Sequence, residues 1–404
     1  MKFVEGGVCA AKGYTAAGVH CGVRKNRSKR DIALILSEVR ASAAGVYTTN
    51  KVKGAPLMVT RDHLKNGTAQ AVICNSGNAN TCNANGREIA ELTCEMLGNA
   101  LNIDKTDVIV ASTGVIGLPV NIEPIERGIP ELIKNLGKNN SALAASGIMT
   151  TDTKIKEVAV SFEIGNVECK IGAIAKGSGM IHPNMATMLV FITSDCAITS
   201  TLLQKALSED IEDTFNMLSI DGDTSTNDMV TVMANGMAGN RLIDAEGEDF
   251  DIFKKALNTL TVCLCKKIAA DGEGATKLLE CTVSGCRTKE DAKLAAKSVI
   301  TSSLTKAAMF GADANWGRVL CAIGYSGASI DIEKLSIAFK SGKGEILVCE
   351  NGASVDFSEE NAKKILLDNE IEILVNAHDG EFSATARGCD LTYDYVRING
   401  DYRT

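Results

Sequence analysis

Proline is scarce in this chain, with five residues in 404 against 37 glycines, so its turns must be built from Gly and Asn. Histidine is scarcer still, and the four present, His20, His63, His182 and His378, have no metal-ligand spacing. The 14 cysteines include no C-x-x-C pair, which argues against structural zinc and thioredoxin-like redox chemistry. The G-x-x-x-x-G-K-[ST] pattern of a phosphate loop is missing too. No run of about 18 apolar residues occurs, so nothing is expected to span a membrane. The opening MKFVEGGVCAAKGY has no apolar core of signal-peptide length. A formal net charge of −8 argues against non-specific nucleic-acid binding. The expectation is a cytoplasmic protein without a metal site, its thiols reduced and mostly buried.

What is present is ordinary globular material. Apolar residues make up 45% and charged residues 23%, in a chain long enough for two or more domains. Residues 1–60 read as strands, with Asp31–Leu36 a buried run and the basic KNRSKR before it a solvated turn. Gln70–Cys74 and Asp107–Ala111 read as further strands. A helix follows from about Arg87, with Ile89, Leu92, Met96, Leu97 and Leu101 on one face, and another covers Ile122–Leu136, interrupted near Pro130. Glu157–Ala175 reads as a hairpin turning at Gly165-Asn166. Beyond it the pattern predicts helices over Thr201–Leu218, Phe250–Ala269, Lys289–Ser302 and Glu359–Leu367, and a strand at Leu278–Ser284. GADANWGR (311–318) reads as a tight loop, and the last 75 residues as mostly strands. Strands and helices alternate without a βαβ rhythm, which favours a layered α/β or α+β fold with mixed sheets.

The most informative stretch is KGSGMIHPNMATMLVFITSD (176–195). Lys176 opens a glycine turn, Pro183-Asn184 forms a second breaker, and an apolar run, Met188 to Ile192, reads as a buried strand. Thr187 stands at its mouth. A threonine hydroxyl is a weak nucleophile that needs a base beside it. Cleavage between Ala186 and Thr187 would give Thr187 a free α-amino group, whose unperturbed pKa of about 7.7–8.0 lets it take a proton near neutrality. On the local pattern alone, an ordinary strand threonine is the simpler reading. Similar alternatives hold elsewhere: Thr113-Gly114 fits an oxyanion site or a routine strand-end turn, Lys176 a carboxylate partner or a surface lysine, and Thr150 and Thr151 a binding loop or a capped turn. Glu273, in DGEGATK, fits an ammonium partner or a solvated turn acid.

This stretch, with GVCAAKGYTAAGVHCGVR near the N-terminus and the chain as far as its last residue, resembles the glutamate N-acetyltransferase / ornithine acetyltransferase (ArgJ) family of arginine biosynthesis, whose members cleave themselves before the Thr of an ATML motif. The resemblance implies an αββα sandwich with mixed sheets, cut into an α chain (1–186) and a β chain (187–404) that assemble as α2β2. It makes Thr187 the nucleophile, with its own α-amino group as base, and Thr113 and Gly114 the oxyanion hole. It carries substrate binding onto Thr150 (Thr151 being the alternative in MTTDT), Lys176, Thr187, Glu273, and Asn399 and Thr404 of the closing VRINGDYRT. The KIKE that follows that TTDT run (154–157) departs from the family's usual Pro-Lys, and Ala314 and Arg387 depart from its pattern elsewhere.

The implied reaction is ping-pong transfer of an acetyl group from N-acetylornithine to glutamate through an acetyl-threonine ester. No cofactor is required, and acetyl-CoA stands open as a second donor. Two other readings are carried forward. One is a self-processing aminopeptidase or amidase of similar fold, in which water takes the acyl group. The other is a non-catalytic amino-acid-binding protein in which Thr187 is structural.

Overall fold

The computed structural model describes residues 1–182 and 188–400. The chain falls into two compact units, one of Met1–Gly177, Asn184–Glu212 and Thr224–Leu264, the other of Ser178–Pro183, Asp213–Asp223 and Cys265–Thr404. Each unit is built on one mixed sheet.

In chain order the elements begin with strands β1 (Lys2–Val4), β2 (Tyr14–Val19) and β3 (Ile32–Tyr47), helix α1 (Ala55–His63), β4 (Thr68–Asn78), α2 (Gly86–Leu101) and β5 (Val108–Val115). Next come α3 (Glu123–Lys134), α4 (Ser141–Ile148), β6 (Lys156–Ile164), β7 (Val167–Lys176), β8 (Leu189–Ser194), α5 (Ser200–Asp213), β9 (Leu218–Ser219), β10 (Met229–Ala234) and α6 (Glu248–Ala270). The first sheet runs β1-β6-β7-β8-β10-β3-β4-β5, with β2 also paired to β3. Pairs β8/β10 and β4/β5 are parallel; the rest are antiparallel. Side chains alternate across a strand, and β3 shows the result. Ile35, Ala41 and Ala43 pack with Ala144, Ala145 and Ile148 of α4 on one face. Ile32 and Leu34 pack with Leu97 of α2 and Ile125, Ile129 and Leu132 of α3 on the other. Each fully buried aliphatic side chain of this kind contributes about 1.5–3 kcal/mol relative to exposure.

The second unit adds β11 (Leu278–Cys286), α7 (Lys289–Thr301), α8 (Ser303–Phe310), α9 (Trp316–Gly324), β12 (Ser336–Ser341), β13 (Gly344–Glu350), β14 (Ala353–Ser354), α10 (Glu359–Leu366), β15 (Glu370–Asn376), β16 (Phe382–Cys389) and α11 (Tyr393–Asn399). Its sheet runs β14-β13-β12-β15-β11-β16-β9. Val283, Phe339 and Ile373 of the sheet share a core with Ala296 and Val299 of α7 and Ile323 of α9. The buried Lys277 amine donates to the carbonyls of Met309 (2.5 Å) and Leu366 (2.7 Å), so one cation terminates α8 and α10 together. Helices laid on mixed sheets are the layered α/β class the sequence led us to expect. β8 lies within ATMLVFITSD (186–195) and β11 takes up most of ATKLLECTVSG (275–285), two segments alike in sequence, and each strand is an inner strand of its own sheet.

Several expectations need correction. Residues 1–60 are not all strand, because Pro56 opens α1 at its first turn. Helix α3 passes through Pro130 without a break; Pro130 is exposed, so the unpaired carbonyl it leaves can be hydrated while Ile125, Ile129 and Leu132 stay buried. The helix expected over Thr201–Leu218 stops at Asp213 and gives way to a 3₁₀ turn at Phe215–Met217 and then β9. Trp316 starts α9 rather than lying in a loop, and the last element among the described residues is the helix α11. Strand β10, fully buried, was not anticipated. The hairpin β6–β7 turns at Gly165-Asn166 as expected, with Gly165 at φ +59°. The KNRSKR turn is exposed and is closed off by buried Asp31, whose carboxylate accepts from the amides of Cys21, Gly22 and Arg24.

Candidate active site

Thr113 and Gly114 lie in the last turn of pairing of β5, inside the strand rather than after it. Parallel pairing sets Gly114 opposite Gly77 of β4, next to a register shift. The two backbones come so close that a Cβ on Gly114 would sit 2.3 Å from the Gly77 carbonyl carbon, and Gly114 has φ +131°. Only glycine satisfies both conditions. Thr113 is buried, and its Oγ1 accepts a hydrogen bond from Lys176 Nζ at 3.4 Å. Lys176 is the last residue of β7 and pairs with Leu189, the first of β8.

The MTTDT run joins this group through a residue that sequence reasoning passed over. Asp152 Oδ1 accepts from Lys156 Nζ at 2.6 Å and from the Gly177 amide at 2.7 Å, while Oδ2 accepts from the Thr150 amide at 3.0 Å. Both members of the Asp152–Lys156 pair are buried. Burial alone would raise the Asp152 carboxyl; the charges of Lys176 and Lys156 and the hydrogen bonds outweigh it and bring it down to about 2. The carboxylate therefore ties Thr150 to the turn that follows Lys176. An acid at i and a lysine at i+4 in a hydroxyl-rich loop was the available signal.

Asn227 and Asp228 were also passed over. Asn227 Nδ2 donates to the carbonyls of Ala79 (2.6 Å) and Ser112 (2.9 Å), and its Oδ1 accepts from Thr81 Oγ1 at 2.6 Å. One amide thereby fixes the strand end that carries Thr113. Asp228, at the foot of β10, is 3% exposed.

In the second unit, Glu273 and Asn399 are brought together. Glu273 is buried in the turn after α6, its amide donating to Ser178 O at 2.7 Å, and its Oε2 accepts from Asn399 Nδ2 at 2.8 Å. Gly179 allows this, since a Cβ there would lie 2.4 Å from the Glu273 carboxylate. Helix α11 is docked by Thr392, whose hydroxyl donates to Gly274 O at 2.7 Å. Helix α11 thus positions Asn399. Asp221 accepts from the amides of Met180 and Ile181, holding the segment after KGSG. His182 Nδ1 lies 3.1 Å from Ser219 Oγ, and burial with the nearby Lys297 charge takes its pKa down to about 4, so it is neutral at physiological pH. Ala186, Thr187 and Thr404 lie outside the described residues.

Thr113, Gly114, Thr150 and Lys176 therefore belong to the first unit, and Glu273 and Asn399 to the second. Residues 15–404 match the model of the ArgJ family. The chain is 48% identical to the arginine biosynthesis bifunctional protein ArgJ of Caldanaerobacter subterraneus subsp. tengcongensis, over 100% of both chains. It is 50% identical to arginine biosynthesis bifunctional protein ArgJ 1 of Clostridium acetobutylicum, over 97% of this chain and 96% of that one. Among solved structures, the arginine biosynthesis bifunctional protein ArgJ of Bacillus halodurans is 47% identical with a TM-score of 0.50, covering 52% of this chain and 97% of that chain. The protein belongs to the ArgJ family.

Proposed function

We propose that this chain is a self-cleaving acetyltransferase of arginine biosynthesis that moves an acetyl group from N-acetylornithine to glutamate. The precursor cuts itself between Ala186 and Thr187 into chains 1–186 and 187–404, which assemble as α2β2 in the cytoplasm. The Thr187 hydroxyl attacks the acetyl carbonyl while its α-amino group takes the proton. Thr113 and the Gly114 backbone stabilise the oxyanion. The ammonium returns its proton to the departing ornithine amine, and glutamate then collects the acetyl group from the ester. Substrate binding is assigned to Thr150, Lys176, Thr187, Glu273, Asn399 and Thr404. The name bifunctional borne by the relatives supports acetyl-CoA as a second donor to glutamate.

The observation that carries this reading is the Lys176–Thr113 hydrogen bond beside a glycine that tolerates no side chain. A cation and a hydroxyl converge there on a backbone held too tightly for any packing role of its own. The test is the intact mass of the purified protein under denaturing conditions, beside Thr187→Ala. Two fragments meeting at Ala186/Thr187, an uncut variant, and acetyl transfer from N-acetylornithine to glutamate are expected. Release of free acetate at the rate of transfer would make the protein a hydrolase. An uncut wild-type chain that binds ornithine derivatives without turnover would make it a binding protein.

A further inference from the structure

Arg24 closes the GVCAAKGYTAAGVHCGVR stretch (7–24) and is half-buried. Its backbone is fixed, because its amide donates to Asp31 Oδ2 at 2.9 Å. Asp31 is fully buried, and its carbonyl accepts from the Ser76 amide of β4 at 2.8 Å. The side chain therefore starts from a point tied to β4, and its two parts meet two different elements. The aliphatic stem lies against Gly77, where a Cβ would sit 2.6 Å from Arg24 Cγ and where φ is +113°. Gly77 is the residue that pairs with Gly114. The guanidinium reaches Met149, whose carbonyl accepts a hydrogen bond from Nη2. Met149 is the C-cap of α4, and Thr150 is the next residue. A second tie runs beside it, from Ser76 Oγ to Gly147 O at 2.7 Å. The end of α4 is thus held to the end of β4 at two points, one of them an arginine that also packs on the backbone opposite Gly114.

We propose that Arg24 is a positioning residue that sets the spacing between Thr150 and the Thr113–Gly114 pair. This rests on the reading of Thr150 as a substrate-binding group and of Thr113 and Gly114 as the oxyanion site. The stem supports Gly77 and, through it, the Gly114 backbone. The guanidinium holds the Met149 carbonyl and, through it, Thr150. Arginine suits the task because its planar head is always charged and its donors are fixed in one fork, whereas a lysine offers a mobile point donor. Asp152 joins the Thr150 amide to the Gly177 amide, so what steadies Thr150 also steadies the turn after Lys176. A basic side chain that only caps a helix satisfies its last carbonyls and does nothing more. The packing of the stem on Gly77 gives Arg24 a second function that such a cap lacks.

The test separates the two halves of the side chain. Arg24→Met keeps the stem and removes the head; Arg24→Ala removes both. Arg24→Met should raise KM for N-acetylornithine about tenfold, the size of a lost hydrogen bond to a charged donor, with kcat within about twofold. Arg24→Ala should show the same rise in KM and also lose about tenfold or more in kcat, because Gly77 loses its support and the oxyanion groups shift. Arg24→Lys should fall between wild type and Arg24→Met in KM, at about threefold above wild type. A wild-type KM in Arg24→Met would overturn the proposal, and so would equal kcat in Arg24→Met and Arg24→Ala. Lower melting temperatures with both constants unchanged would reduce Arg24 to a helix cap. Amide hydrogen exchange carries the test without turnover. In Arg24→Met, or in Arg24→Lys should the former not fold, the Thr150 and Gly177 amides should exchange several-fold faster than in wild type while those of α2 do not. Wild-type exchange at both amides would refute the clamp. A wild type that moves no acetyl group would sink the acetyltransferase reading instead, and exchange would still decide whether Arg24 holds Thr150.

Discussion

The Asp152–Lys156 pair offers a measurement whose sign and size both follow from the structure. Its carboxyl is held at about 2 in the folded protein, against about 3.9 in an unfolded chain. A depressed carboxyl pKa contributes stability that is fully present above the unfolded value and is lost as the pH falls through the folded one. The gap is worth roughly 2.5 kcal/mol, with about half of it gone by pH 3. Asp152→Asn should therefore cost about 3–5 kcal/mol near pH 6, because it strands the Lys156 ammonium in a buried site. By pH 3 that cost should shrink by about 1 kcal/mol. The assay is equilibrium urea unfolding of both sequences in the Thr187→Ala background, where a single continuous chain unfolds on the proposed reading. A cost that stays level between pH 6 and pH 3 would mean that Asp152 is not held as a carboxylate by its lysines.

Other expectations are simpler. Thr113→Ala should fold and cleave but lose about 10²–10³ in kcat, and near-wild-type turnover would remove Thr113 from the oxyanion site. Gly114→Ala should be inactive and strongly destabilised, since its Cβ would overlap the Gly77 backbone; a stable, active variant would refute the close approach. Glu273→Gln and Asn399→Ala should combine non-additively in kcat/KM, by about 0.5–3 kcal/mol, because the two side chains touch. Strict additivity would contradict that contact. Lys277→Met should lower stability by about 1–3 kcal/mol by unpairing the carbonyls that end α8 and α10, seen as a lower melting temperature with unchanged kcat.

Much of the fold was legible because the elements carry strong local signals. The β6–β7 hairpin declared itself through Gly165-Asn166 and the flanking alternation, and α2 and α6 through apolar periodicity. Strand β10 escaped because MVTVMA follows a polar loop and is buried on both faces, so no alternation marks it. Pro130 was read as a break because local rules cannot tell which face of a helix will meet solvent. Helix α11 was hidden because its short YDYVRIN stretch buries no residue and so shows no apolar face; its Thr392 cap and the bond from Thr392 to Gly274 hold it in place. At the site, the sequence drew attention to residues carried by motifs and passed over Asp152, Asn227 and Asp228. The Asp152–Gly177 and Asn227–Ser112 bonds join residues 25 or more positions apart, and isolated acids and amides in turn-like runs look like solvated loop residues.

The Asp152 carboxylate also changes how two of the motifs should be read. MTTDT and KGSG are separate in the sequence, yet Asp152 binds the Thr150 amide with one oxygen and the Gly177 amide with the other. Thr150 and the Lys176 turn are therefore one hydrogen-bonded object with a single electrostatic centre. Lys176 contributes to keeping that centre ionised, and it also donates to Thr113. Neutralising Lys176 would remove a cation from Asp152 and a donor from Thr113 at once. A Lys176→Met change should accordingly raise the Asp152 pKa and disturb Thr113 together. Its kinetic defect should grow at acid pH in a way that a simple loss of substrate contact would not.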